Sequence, residues 1–363
     1  MNFLTPVILV FAVLGGVDYV CGSRLGLGKE FQKAFMLLGT MALSMIGMIV
    51  LAPAIGAALS PAFDTVYTVF GLDPSILPAS LLANDMGGAP LAKEVMRDEG
   101  VGLFNALVVS SMMGCTVSFT IPFALGVVGK EQHRELLLGL LCGIVTIPVG
   151  CFVSGIVLGL PMLALLWNLL PLILFSVVIA LGLVLCPNVC VKIFKVIGFL
   201  ITALIIGGLL LGVIEFLTKQ KLLSTAASIE EGALVCLNAS VVLCGMFPLI
   251  FVLSKLLRRP LSALGRVVGI NETSALCLLS ELATSATAFG MMDRMDKRGV
   301  MMNSAFAVSG AFVLGSHLAF TMAFDPHYIL SVTVGKLVAG ILAILLTIPI
   351  YHVAIKTENN SQA

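Results

Sequence analysis

Leu81-Leu82-Ala83-Asn84-Asp85-Met86-Gly87-Gly88-Ala89-Pro90-Leu91-Ala92-Lys93-Glu94 sets a carboxylate, an amide, two adjacent glycines and a proline among almost wholly apolar neighbours. Such residues break a helix. At membrane depth a break leaves backbone groups that only protein or a cavity can satisfy. Broken helices of this kind are where transporters place their substrates. Composition puts the flanks in a bilayer. Of the 363 residues, 59% are hydrophobic and 11% charged, with a mean hydropathy of +1.13, where a soluble domain carries roughly 25% charged residues. So few charges cannot cover a water-facing surface of this size. The expected class is an all-α polytopic membrane protein with the lipid bilayer as its surroundings. A net charge of +1 supplies no basic face, so nucleic acid is not an expected partner.

A crossing takes about 20 apolar residues. Stretches 3–20, 35–59, 101–128, 136–160, 162–185, 194–217, 232–257, 300–323 and 329–352 qualify, while 74–92 and 273–292 are interrupted by polar and small residues. The bias of Lys and Arg toward the cytoplasm tests the interrupted pair. If both dip in and return, fifteen Lys and Arg lie inside, Arg258, Arg259 and Lys356 among them, and only Lys93, Arg97, Lys219 and Lys221 outside. If both cross, the split is eleven to eight. Nine full crossings with two re-entrant hairpins are therefore expected, eleven crossings being the alternative. The N-terminal run lacks a basic leader and reads as a retained span.

The layout occurs twice, over about 30–160 and 231–352, with linker spans over 161–230 and a short polar cytoplasmic tail at 353–363. The whole, 1–363, reads as one transporter domain. Ala83 pairs with Ala283, Val109-Ser110 with Val308-Ser309, Phe119 with Phe320, and Gly139 with Gly335. An odd number of crossings separates the copies, giving two inverted repeats, each with a broken or re-entrant helix. Small residues four apart (Gly139 and Gly143, Gly208 and Gly212) read as ordinary close packing.

A charge at the centre of a membrane helix costs about 2.5–3.5 kcal/mol on insertion scales, so a retained one is a candidate for function. Asp85 is the first candidate, with Asn84 and the Gly87-Gly88 backbone beside it; capping a half-helix is its structural alternative. Glu281 precedes Ala283-Thr284-Ser285-Ala286-Thr287-Ala288, small and hydroxylated residues that suit either a pore lining or close packing. His317, after Ser316, is placed to bind substrate or relay protons, or to bond a neighbouring helix. Lys336 is expected to pair with a carboxylate. Ser110, Ser111 and Thr116 either face the substrate or bond their own helix carbonyls. Arg258-Arg259-Pro260 and Lys219-Gln220-Lys221 read as solvated loops.

No G-x-x-x-x-G-K-[ST] phosphate loop and no H-E-x-x-H motif occurs, so neither ATP drive nor a zinc enzyme is expected. The nine cysteines are odd in number and lie mostly in apolar runs, as reduced buried thiols do. No cofactor, metal or catalytic residue is expected. A carrier for an anionic or neutral metabolite, with half-helix N-termini holding the charge, and a membrane enzyme or receptor are the competing classes.

Taken together these motifs resemble the ethanolamine-utilisation permease family (EutH). They are Leu81 to Gly88 with Leu91-Ala92-Lys93-Glu94, then Ser111-Met112-Met113-Gly114 and Gly143-Ile144-Val145-Thr146-Ile147-Pro148. Phe289-Gly290-Met291-Met292, Met295-Asp296-Lys297-Arg298-Gly299, Asn303 to Ser309 and Val334-Gly335-Lys336-Leu337 complete the set. The resemblance implies uptake of ethanolamine, a small ammonium ion, across a bacterial inner membrane to feed ethanolamine breakdown. Beside the resemblance, the chemistry of the residues puts the expected substrate contacts at Asn84, Asp85, Gly87, Gly88, Ser111, Glu281, Thr284, Ser285, Ser316 and His317. Asp85 would pair the ammonium, and Asn84, Thr284 or Ser285 would bond the hydroxyl. The chain departs from the family pattern at Ser316, where an aspartate is expected, and at Thr284, Ser285 and Thr287, where an asparagine pair and a proline are. Those departures leave room for a related small amine or alcohol. The sequence also admits a homo-oligomer.

Overall fold

The computed structural model describes the backbone of residues 4–362 and the side chains on it, apart from those of 258, 259, 261, 262, 264 and 353–362. Helix α1 (Leu4–Val20) is apolar and turns sharply into α2 (Leu27–Phe70). The Asp18 carboxylate holds that turn, accepting the N–H groups of Leu25 at 3.0 Å and Gly28 at 2.8 Å. An acid at a helix N-terminus is the favourable placement. The stretch with Asp85 is broken as expected. Helix α3 (Ile76–Leu81) stops, a 3-10 turn covers Asn84–Met86, and α4 (Gly88–Val95) restarts.

The next run is continuous. Helix α5 (Glu99–Phe104) widens into π-helix over Asn105–Gly114 and Thr116–Thr120 before α6 (Ile121–Val127). Side-chain hydroxyls enter that wide winding. Ser110 donates to the Ala106 carbonyl, Ser111 to Val108 at 2.9 Å, Thr116 to Met112 at 2.7 Å and Ser118 to Gly114 at 2.8 Å. Back-bonding hydroxyls compete with the regular ladder and distort it. Helices α7 (His133–Val157), α8 (Met162–Leu185), α9 (Pro187–Thr218) and α10 (Ile229–Val268) follow. Then come α11 (Glu272–Glu281), α12 (Ser285–Gly290), α13 (Lys297–Ser309), α14 (Ser316–Phe324) and α15 (Ile329–Gln362).

The chain is an all-helical, multi-pass membrane protein. Among the described residues seven helical runs are long and apolar enough to cross a bilayer, and Leu4–Val20 is a shorter apolar helix. The run expected over 300–323 is not one helix. It breaks between Ser309 and Ser316, where Gly310 and Gly315 loosen the chain and Phe312 takes the left-handed φ of 63°. The freed N–H groups find partners: Phe312 donates to the Glu281 carbonyl at 2.9 Å and Leu314 to Leu282 at 2.8 Å. Arg258-Arg259-Pro260, expected as a loop, lies inside α10, which runs on to a left-handed Gly269 cap. The side chains of Arg258, Arg259 and Lys356 lie outside the described residues.

Helix α2 packs along α10, and α7 along α13 and α15; α9 lies on the outer side of α2. Leu163, Leu185, Phe199 and Leu217 on α8 and α9 are 72–81% exposed, an apolar face that lipid covers. Two polar knots tie the broken helices to the runs that follow them. In the first, Asp73 accepts the N–H groups of Ser75, Arg97 and Asp98, and Asn105 donates to Ser75 Oγ at 2.9 Å. In the second, Asp296 accepts the Asn271 N–H at 2.8 Å and the Ser274 hydroxyl at 2.9 Å, and Asn303 donates to the Ser274 carbonyl at 3.1 Å. Asp98 caps α5 through the Val101 N–H, and Asp296 caps α13 through Gly299.

Where α2 meets α9, Gly47 and Gly208 let the backbones touch; a Cβ on Gly47 would run into the Ile205 carbonyl. Gly39, on the same helix, has open space around it. Overpacking of this kind costs about 1–3 kcal/mol. Gly47→Ala is therefore expected to lower the thermal midpoint of the detergent-solubilised protein by several degrees, with Gly39→Ala leaving it in place.

Candidate functional site

A cavity of about 290 Å³ lies where the irregular segments meet. One wall is a stripe on α2: Lys33, Leu37, Thr40, Met41, Ser44 and Met45, successive positions on one helical face. That stripe runs about 18 Å at 1.5 Å per residue. It begins at an exposed Lys33 and ends at a buried Met45, so the cavity deepens along it. Leu243 and Phe247 of α10 face it. The floor is made of Ala83, Asp85 and Met86 from the first break, Ala283 and Thr284 from the second, and Phe312, Ser316 and His317 from the third, with Cys115 and Phe119 from the π-helix.

Among the described lining residues Asp85 is the one acid. Its Oδ1 lies 3.8 Å from His317 Nε2, and the Ser316 hydroxyl reaches the same carboxylate. Both residues open α14, so Asp85 faces a helix N-terminus, where a negative charge is favoured. The His317 ring lies 4.9 Å from that of Phe312, and Phe312 meets Phe119 edge-on at 5.6 Å. Phe247 carries the Lys33 ammonium 5.4 Å from its ring centroid. The chamber thus joins one carboxylate to aromatic faces and a few hydroxyls. Aromatic faces attract cations by their quadrupole, so the arrangement suits a small cation with a polar tail.

Of the residues singled out from the sequence, Asp85, Thr284, Ser316 and His317 line this cavity together. Thr284 also caps α12 through the Ala286 N–H at 3.3 Å. Asn84, Glu281 and Ser285 lie beside the breaks, wholly buried, with side-chain atoms that make no hydrogen bond. Gly87 and Gly88 serve the backbone. Gly87 takes φ 95° against the Met48 side chain, and Gly88 packs on the Leu82 carbonyl, where a Cβ would collide. Ser111 is buried in the π-helix, away from the cavity, its carbonyl accepting the Lys336 ammonium at 2.7 Å. Lys336, expected beside a carboxylate, is thus held by a peptide oxygen.

Thr40, Ser44, Phe119, Phe247 and Phe312 were not among the sequence candidates. One signal for them was available. Lys33, Leu37, Thr40 and Ser44 form a polar-edged stripe on an otherwise apolar helix, and such a stripe needs a wet surface to face.

The family model of the ethanolamine utilisation protein EutH matches residues 2–350. The "Probable ethanolamine permease EutH" of Listeria monocytogenes is 41% identical over 93% of this chain and 90% of its own length. The protein of the same name from Escherichia coli is 36% identical over 93% and 90%. YxeR of Bacillus subtilis, whose name assigns no activity, is 37% identical over 93% and 91%. No solved structure matches.

The geometry also sets which positions water reaches. With the less buried thiols Cys21, Cys186 and Cys190 and the cavity-lining Cys115 replaced by serine, Ser44→Cys and Thr284→Cys are expected to react with a water-soluble maleimide within minutes. Ser285→Cys, buried behind the break, is expected to stay unmodified, and intact-protein mass reads both results.

Proposed function

The chain belongs to the EutH family of ethanolamine utilisation proteins, and from that premise we propose that it is a permease carrying ethanolamine across a bacterial inner membrane. It is a transporter and not an enzyme. The substrate crosses as ethanolammonium: the ammonium pairs with Asp85, and Phe119 and Phe312 offer it aromatic faces. Thr284 and Ser316 take the hydroxyl. The observation that carries this reading is the single acid in a chamber wall that is otherwise apolar, aromatic and hydroxylated, apart from Lys33 at its mouth and His317 beside Asp85. An anionic guest would meet that acid directly and be repelled.

The same reading takes 30–160 and 231–352 as two inverted repeats and counts eleven membrane segments, two of them re-entrant. The order of elements supports it, since a long helix, a broken pair and two further runs occur in each half. So do the two polar knots: Asp73 and Asn271, Asp98 and Asp296, and Asn105 and Asn303 all stand 198 positions apart. The cavity opens at the end of α2 that carries Lys29 and the exposed Lys33. By the Lys and Arg bias that end is cytoplasmic, so this conformation is open inward.

Losing one partner of a buried, hydrogen-bonded charge pair costs about 2–5 kcal/mol. Asp85→Asn is accordingly expected to weaken ethanolamine binding by about 30-fold or more, measured by isothermal calorimetry on folded protein in detergent. In vesicle uptake of labelled ethanolamine, unlabelled ethanolamine is expected to compete, and glycerol and a dicarboxylate to fail. Competition by the dicarboxylate, or unchanged affinity in Asp85→Asn, removes the proposal.

A further inference from the structure

Glu281 is a second acid in the core that substrate recognition leaves unused. It ends α11 at the second break, three residues before the cavity-lining Thr284. Its side chain has no exposed surface, and neither carboxyl oxygen has a hydrogen-bond partner. Its own peptide carbonyl is not idle: it accepts the N–H of Phe312, whose ring lies tilted against that of His317 beside Asp85. The acid is thus one peptide away from the floor of the substrate chamber.

Among the described residues no charged side chain hydrogen-bonds the Glu281 carboxyl. Helices α10, α12 and α13 and the turn Met292–Arg294 pack against α11. On α13, Lys297 pairs with Glu135 at 3.8 Å, and Arg298 lies over the Tyr351 ring at 5.8 Å. Asp296 is spent on the polar knot. Asp293, Arg294 and, on α10, Arg266 are exposed. Helix α12 brings no titratable side chain. Cys277, one turn back on α11, is the titratable neighbour. A carboxylate sealed from water with neither donor nor cation beside it is among the costliest groups a protein can hold. A carboxylic acid in the same place carries no charge and needs no counter-ion.

We propose that Glu281 is the proton site of a proton-coupled carrier, holding its proton while its own side chain is sealed from water, as in this structure, and exchanging it when that side chain, and not Thr284 alone, meets water. The step is a plain acid dissociation: the O–H bond of the carboxyl breaks, the electron pair stays on the carboxylate, and water takes the proton. Substrate and proton occupy different acids, Asp85 and Glu281, so both can be aboard at once. That geometry fits symport, a proton entering with each ethanolammonium. The inference rests on the ethanolamine reading given above.

The test uses the full chain in proteoliposomes, with the membrane potential clamped and the outside one pH unit more acidic than the lumen. An amine that leaks through lipid as the neutral base collects on the acidic side, so accumulation in the alkaline lumen reports the carrier alone. Wild type is expected to concentrate labelled ethanolamine up to about tenfold, the equivalent of one proton over one pH unit. A lumenal pH dye is expected to show proton entry on ethanolamine addition. Glu281→Gln, which mimics the neutral acid, is expected to keep ethanolamine exchange and lose accumulation. Exchange without accumulation or proton entry in wild type overturns the proposal, and this arm stands even if the variant does not fold. Accumulation by Glu281→Gln equal to wild type also overturns it. Absence of exchange in wild type instead removes the ethanolamine reading beneath it.

Discussion

A peptide group inside hydrocarbon has no water to turn to, and in this protein each broken helix finds its partners in another irregular segment. The Ala83 N–H is taken by the Ser118 hydroxyl at 3.1 Å, inside the π-helix. The carbonyls of Glu281 and Leu282 are taken by the N–H groups of Phe312 and Leu314. Each interruption is affordable only because the other is next to it. That mutual dependence gathers Asp85, Thr284, Phe312, Ser316 and His317 into one place, although Asp85 stands 199 positions before Thr284 and 232 before His317. The chamber is a by-product of satisfying backbone groups.

The same constraint explains how much could be read from the chain. The break at Asn84 to Gly88 is legible because it is written in residues that no lipid-facing helix keeps: an amide, an acid and a glycine pair. The break after Glu281 is legible for a similar reason, through its run of small and hydroxylated residues. The break at 310–315 is not. Its disruptors are two glycines around Ala311-Phe312-Val313-Leu314, and glycines of that kind pack helices elsewhere in this chain, as Gly47 and Gly208 do. What opens the helix there is the presence of carbonyl partners on α11, and those exist only once the fold has formed. The cavity wall on α2 was hidden for a related reason. Thr40 and Ser44 are routine hydroxyls when taken singly; only their alignment with Lys33 on one helical face marks a wet surface, and the packing of α10 beside them leaves the void in front.

Polar side chains in the membrane region do two kinds of work here, and sequence does not separate them. Ser111 and Ser316 are both serines in apolar runs near a glycine. Ser111 is consumed by its own helix, bonding the Val108 carbonyl, whereas Ser316 starts a helix and reaches a carboxylate. The difference is the backbone beneath them, a wide continuous winding in one case and a fresh N-terminus in the other.

Three polar stitches join runs from the two ends of the chain: Lys336 to the Ser111 carbonyl, Thr116 to the Val308 carbonyl, and Ser154 to the Ser331 carbonyl. They fasten the π-helix, α7, α13 and α15 into one piece. Sliding any of these helices past another would strand a buried donor, so the group behaves as a fixed pillar. The contact between α2 and α10 bounds the chamber on the other side and is built mainly from aliphatic and methionine side chains, which slip with little penalty. The chamber thus lies on the seam between a part held by buried hydrogen bonds and a part held by apolar contact.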